Sequence, residues 1–123
     1  MKAISVNAIL LISIVAITLV GCKKEEKVDA TKPLEQSFAT ATPEVKQSIQ
    51  AVNANLKSGN VMEAAKQLDP VLNTPNLTEQ QKQAVALTLK QVNDAIAANP
   101  ALDSKEMYEL RKKMFFKVYG QGH

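Results

Sequence analysis

From residue 43 to residue 119 the apolar side chains of this chain recur at steps of three and four, and no segment alternates with period two. That spacing predicts helices and excludes strands. Val45, Ile49, Val52 and Leu56 form the first stripe. Thr42-Pro43-Glu44 starts it with an oxygen-bearing cap, a proline at the first helical position and an acid in the first turn. Ser58-Gly59-Asn60 ends it, Gly59 suiting a left-handed C-terminal position, so a helix over 43–58 is expected. Asn60 can cap a second over 60–72, with Val61, Ala64, Ala65, Leu68 and Leu72 on one face and Pro70 ending or kinking it near Asp69. Thr78 with Gln81 is a capping-box pair opening a third over 78–98, faced by Val85, Leu89, Val92 and Ile96. Its small alanines, Ala84, Ala86, Ala95, Ala97 and Ala98, permit close approach by a neighbour. Asn99-Pro100 stops it. A fourth over 103–119 is capped by Asp103 or Ser104, with Glu106 early and Lys112, Lys113 and Lys117 late, an order that complements the helix dipole. Upstream, Leu34, Phe38 and Ala41 step into Val45: either one longer helix bends at Pro43, or a short separate helix covers 33–41, which is the expectation adopted. The fold class is all-α, two helical hairpins packed as a small bundle or short stack. A chain of this length holds one domain, 43–119, with 120–123 a disordered tail.

The first 22 residues have another organisation. Lys2 precedes an apolar run that closes on small residues and the single cysteine, the layout of a secretory signal. A retained transmembrane helix would use residues 3–20, about 18 in number and the lower edge of a span, thinned by Ser5, Asn7, Ser13 and Thr18. Leu19-Val20-Gly21-Cys22 resembles the lipobox of bacterial lipoproteins. The resemblance implies a diacylglycerol on the Cys22 sulfur, cleavage between Gly21 and Cys22, and loss of residues 1–21 as signal peptide. It implies a cell-envelope protein held to the membrane by its lipid. Lys23 stands where an aspartate tends to retain such proteins in the inner membrane, so the resemblance favours the outer membrane, facing the periplasm, in a Gram-negative organism. A lone thiol is a liability in an oxidising compartment, and lipidation removes it.

Residues 23–33 are polar and charged with Val28 the only sizeable apolar side chain, so residues 22–42 are expected to be the lipidated cysteine and a flexible tether. Its twenty residues after Cys22 reach at most about 70 Å extended and average about 25 Å as a coil. Lys23 and Lys24 are placed to touch anionic headgroups or simply to keep the tether solvated.

Leu56-Lys57-Ser58-Gly59-Asn60-Val61-Met62-Glu63-Ala64-Ala65-Lys66-Gln67-Leu68 resembles the turn of a tetratricopeptide hairpin, a likeness that covers about 30 residues, roughly 43–73. Gly59 and Asn60 match its turn, and Glu63-Ala64 matches the start of its second helix. Val61 stands where that family often has Tyr, and the family's Trp and Tyr of the first helix have no counterpart. The resemblance implies a tetratricopeptide-like stack, although a true array needs about three repeats.

Groups for chemistry are scarce. His123 is the only histidine and the last residue, the lipobox resemblance assigns Cys22 to lipid, and serines occur without a histidine or lysine in a recognisable arrangement. Glu25-Glu26 lie in the tether and Glu106/Glu109 lie one turn apart, as solvated surface acids do. There is no phosphate loop. No catalytic residue, metal site, small-molecule substrate or cofactor beyond the covalent acyl lipid is expected, and the chain is not expected to be an enzyme. Of 15 basic residues Lys2 lies in the signal, leaving 14 against 12 acidic, a net charge of +2. That balance and the secretory compartment argue against nucleic acid. One stretch stands out, residues 111–119. Met107, Leu110, Met114 and Val118 form an inward stripe, Tyr108, Phe115 and Tyr119 a second row at i, i+7 and i+11, and Phe116 falls outside both. The row is either a widened core face beside dipole-matching lysines or a partner surface made of Tyr108, Arg111, Phe115, Phe116 and Tyr119. The expected function is a lipid-anchored protein-interaction or scaffolding module for an envelope protein; the alternative is a structural or accessory subunit of a larger envelope complex.

Overall fold

A computed structural model describes residues 28–120, and every regular element in them is helical. In order these are α1 Thr31–Ser37, α2 Pro43–Lys57, α3 Val61–Gln67, α4 Asp69–Leu72, α5 Glu79–Ala98 and α6 Lys105–Tyr119, with a 3-10 turn Pro100–Leu102 before α6. The expected signal peptide, its Gly21–Cys22 cut, the lipidated Cys22 and residues 121–123 lie outside the described residues. Among the described residues no helix is long and apolar enough to cross a membrane.

The helix ends follow from local chemistry. The Thr42 hydroxyl accepts from the Val45 N–H at 3.3 Å. At the other end of α2, Gly59 has φ 84°; its N–H donates to Leu56 O at 3.2 Å, and the Asn60 N–H donates to Asn55 O at 2.7 Å. These paired bonds satisfy carbonyls that a helix end otherwise leaves orphaned, and they need a left-handed residue between them. Pro70 has no N–H to donate, and the second helix breaks at Leu68 before resuming for one turn as α4. Thr78 and Gln81 form the reciprocal capping box, both bonds at 3.0 Å. The Ser104 hydroxyl caps α6 through the Met107 N–H at 3.0 Å.

The helices form a small bundle. α2 packs on α3 and α4, α5 packs on α6, and α3 joins the pairs by touching both α5 and α6. One apolar cluster runs through Val45, Ile49, Val52, Leu68, Val85 and Met114; a smaller one, Ala65, Val92 and Met107, seals the α3–α5–α6 junction.

The segment expected as tether is where the structure differs most. The short helix lies at Thr31–Ser37 rather than 33–41, and α1 packs against both α2 and α5. Leu34 is wholly buried and Phe38 is 2% exposed. A seven-residue helix is too short to hold in water by itself, so tertiary contacts make it. Polar groups fasten both ends. The Ala30 N–H donates to Gln91 Oε1 at 3.0 Å, and the Gln81 amide donates to the Ser37 carbonyl at 3.1 Å. From α2, the buried Asn53 donates to the Thr31 carbonyl at 3.0 Å. Asp29 Oδ1 accepts from the Thr31 N–H at 3.0 Å and from its hydroxyl at 2.8 Å. Residues 28–42 thus belong to the folded body; the rest of the expected tether, residues 22–27, lies outside the described residues.

Leu34→Ala is therefore expected to destabilise the protein by about 2–5 kcal/mol, read as a lowered melting temperature, whereas truncation in a tether would leave the melt unchanged. A second expectation concerns pH. The two Thr31 hydrogen bonds, backbone first, hold the Asp29 carboxyl below its ordinary value of 3.8. A lowered folded-state value stabilises the fold at pH above the ordinary value, and that stabilisation is lost as pH falls through the lowered one. Asp29→Ala should lower stability slightly at pH 7, the carboxylate being exposed to solvent, and the gap from the unmodified protein should close in acid.

Candidate functional site

α6 carries two stripes of opposite fate. Met107 and Met114 are wholly buried, with Leu110 and Val118 packed beside them. On the outer side Tyr108 is 55% exposed, Phe115 48%, Phe116 38% and Tyr119 63%. The chain has five aromatic residues; these four face solvent, and only Phe38 is in the core. At 100° per residue, Tyr108, Phe115, Tyr119, Lys105 and Lys112 fall within an arc of about 80°, opposite the methionines, with Phe116 at its edge. Phe115 is the hub of the aromatic row. Its ring centroid lies 4.8 Å from that of Tyr119 and 6.0 Å from that of Phe116, the latter pair edge-on at 73°. The Lys112 ammonium sits 5.7 Å from the Tyr108 centroid.

Charge follows the same helix. α6 holds five basic and two acidic residues, a net +3, and the rest of the chain balances at ten of each. Lys112 Nζ lies 3.1 Å from Glu109 and Lys113 Nζ 2.6 Å from Asp69. These pairs are exposed and contribute little to stability. Lys105 makes no ion pair among the described residues.

Arg111, expected with the partner surface, is used internally. One terminal nitrogen donates to Asp103 Oδ1 at 2.7 Å and the other to Asn93 Oδ1 at 3.2 Å, while its Nε is buried without a partner. It fixes α6 against α5 and the turn between them. A cleft of about 220 Å³ runs beside it between Leu89 and the Tyr108 and Phe115 rings. The surface is thus Tyr108, Phe115, Phe116 and Tyr119 with Lys105 and Lys112. Lys112, expected as a dipole-matching lysine, lies on the row, and Lys105 joins it. The seven-residue spacing 105, 112, 119 beside 108, 115 is the sign that would have placed both lysines on the row.

Three other hollows among the described residues are larger and less distinctive; the smallest of them, about 390 Å³, lies beside Phe116 between Asn76, Leu77, Lys82 and Lys117. One of about 580 Å³ lies beyond the end of α1, between Phe38, Val45, Pro70 and Pro75. Another, about 730 Å³, separates α3 and α4 from α6 and is bridged by Lys66–Glu106 and Lys113–Asp69 pairs. Among the described residues no three His, Cys, Asp or Glu side chains come together as a metal site would need; His123 lies outside them. Comparison with protein-family models, curated proteins and solved structures finds no match to this chain.

The opposite placement of neighbouring residues gives a direct check. Met114→Ala should cost about 2–5 kcal/mol and lower the melting temperature clearly. Phe116→Ala should change stability by no more than about 1 kcal/mol, because its ring is partly in water already. Equal melts for the two variants would mean that α6 is buried on both sides.

Proposed function

We propose that this chain is a lipid-anchored protein of the bacterial cell envelope that works as a small docking module, with the outer face of α6 as its binding surface. The observation that carries the reading is the row of four exposed aromatic rings on one helix. A contiguous apolar patch rimmed by polar groups marks an interaction site more often than idle surface, and this chain spends nearly all its aromatic residues there. The lipobox-like Leu19-Val20-Gly21-Cys22 supplies the anchor and the compartment, the outer membrane in a Gram-negative organism. Among the described residues no nucleophile–base pair stands near the row, which favours docking over chemistry. The closed core, with α1 seated across α2 and α5, favours a self-standing module over a subunit that folds only within a complex. The resemblance to a tetratricopeptide hairpin, over roughly residues 43–73, adds no second surface to this reading.

Two measurements test this. Cys22→Ser should accumulate a longer precursor that takes up no fatty-acid label in growing cells; a labelled variant would remove the anchor. For the surface, Tyr119→Cys introduces a thiol on the row, and Gln50→Cys places one on the exposed outer side of α2. In intact envelopes the thiol at 119 should react with a hydrophilic thiol reagent on the order of tenfold more slowly than the thiol at 50, as expected for a covered site. Equal rates would mean that nothing docks on α6.

A further inference from the structure

We propose that the surface α6 docks on is the membrane itself: its outer face lies on an anionic bilayer, with Lys105 and Lys112 at the headgroup phosphates and Tyr108, Phe115, Phe116 and Tyr119 in the boundary between headgroups and acyl chains. The inference rests on the docking reading above and names the partner.

Four observations converge on it. The first is the mixture of side chains. Aromatic rings with a polar edge favour the bilayer–water boundary, and lysines reach from apolar stems to charged headgroups. Tyr108, Tyr119, Lys105 and Lys112 share one arc of α6, and the one acid at its edge, Glu109, is already beside Lys112 at 3.1 Å. The second is charge. With residues 1–21 removed the chain carries a net +2, and α6 carries +3 of its own; Lys105 and Lys112 are the cations it turns to the aromatic row, so attraction to an anionic surface acts at this face.

The third is reach. With α1 docked, eight residue steps separate Cys22 from the buried Ala30, and these span at most about 28 Å. α5 packs on both α1 and α6, and packed helix axes lie about 8–10 Å apart. The anchor therefore leaves the domain close enough to α6 for the lipid and the aromatic row to meet the same surface.

The fourth is the shape of the face. It is the convex side of a single helix, about six side chains, and a stable protein interface uses about 20–30 residues a side. The hollow that enters the row itself, between Tyr108 and Phe115 beside Arg111, is about 220 Å³, smaller than the usual small-molecule pocket of about 300–1,000 Å³; larger hollows touch the face only at its margins, through Phe116 and Lys105. A second copy is a poor occupant as well. Antiparallel pairing of α6 with itself about Lys112 would set like charges against each other on the two-fold axis, which is repulsive.

The test uses the lipidated protein, extracted from membranes and reconstituted on vesicles of zwitterionic lipid with and without an anionic component. Tyr119→Cys and Gln50→Cys carry a polarity-sensitive fluorophore, Cys22 being blocked by its lipid, and mass spectrometry reads the lipid on Cys22 separately. On anionic vesicles the probe at 119 should shift to the blue and lose access to an aqueous quencher, while the probe at 50 stays open. Lys105→Glu with Lys112→Glu should reopen site 119 on the order of tenfold or more, since each reversal removes an attraction and adds a repulsion. Both lysines are exposed, so the melting temperature should stay unchanged and report intact folding. Site 119 open on anionic vesicles overturns the proposal. If it is nevertheless covered in intact envelopes, the face belongs to a protein and the docking reading survives; open in both, that reading falls too. Protection that is equal on zwitterionic vesicles and indifferent to charge reversal also overturns the anionic surface.

Discussion

The bundle depends on the seating of one short helix across two long ones. α1 has too few residues to hold its own turns, yet it supplies Leu34 and Phe38 to the main core cluster. Burial of each such side chain contributes about 1.5–3 kcal/mol. Without them the facing side chains of α2 and α5, among them Val52 and Val85, would be partly uncovered. The polar bonds decide where the helix sits rather than whether it is buried. Gln91 takes an N–H at the start of α1 and Gln81 serves a carbonyl at its end, two groups that a free helix leaves without partners. Gln81 also closes the capping box of α5 through its other amide atom. One side chain therefore fixes the start of α5 and the end of α1 together.

Most of the helical pattern was written locally and could be read there. The stripe through Val45 and Leu56, the Thr42 and Thr78 caps and the turn at Gly59 each depend on residues within a few positions of one another. α1 was harder to place. Its polar surroundings read as solvated chain, and Pro33 suggested a start at the proline. In the structure Pro33 occupies the third position of the first turn, where no N–H is needed. The turn begins earlier, at the Asp29–Thr31 bonds. What holds α1 down comes from Asn53, Gln81 and Gln91, 22 to 61 residues distant along the chain. A glutamine on a helix carries no local mark of the carbonyl it will meet, so such partners stay invisible until the helices are packed.

The same limit divides the residues of α6. Periodicity sorts Met114 from Phe116 because they lie about 200° apart on a helix, and the two are indeed buried and exposed respectively. Periodicity cannot say what a long cation does. Arg111 falls between the stripes and composition suggested an interface. Its partners Asp103 and Asn93 are set by the turn Pro100–Leu102, which folds the chain back so that α6 runs beside α5. Lys105 pairs with no acid among the described residues and Lys112 only with Glu109 of its own helix, so both remain as the cations of the exposed row.

An exposed row of aromatic rings is a hazard as well as a surface, because bare apolar patches draw copies of a protein together. The lysines on α6 bear on that hazard. Placed one heptad apart on the aromatic arc, Lys105 and Lys112 set like charges in the way of pairing through this face, and such repulsion raises the cost of a wrong partner more than it strengthens a right one. The same cations cost nothing against a surface of opposite sign. One arrangement of side chains thus opposes association between copies and favours a flat anionic plane. Were α1 undone, the chain after Cys22 would lengthen by the residues it now holds, from 30 to 42, and the row could turn in any direction. Docked, α1 takes residues 30–42 into the folded body, so that under the proposed anchoring at Cys22 the orientation of α6 is a property of the fold.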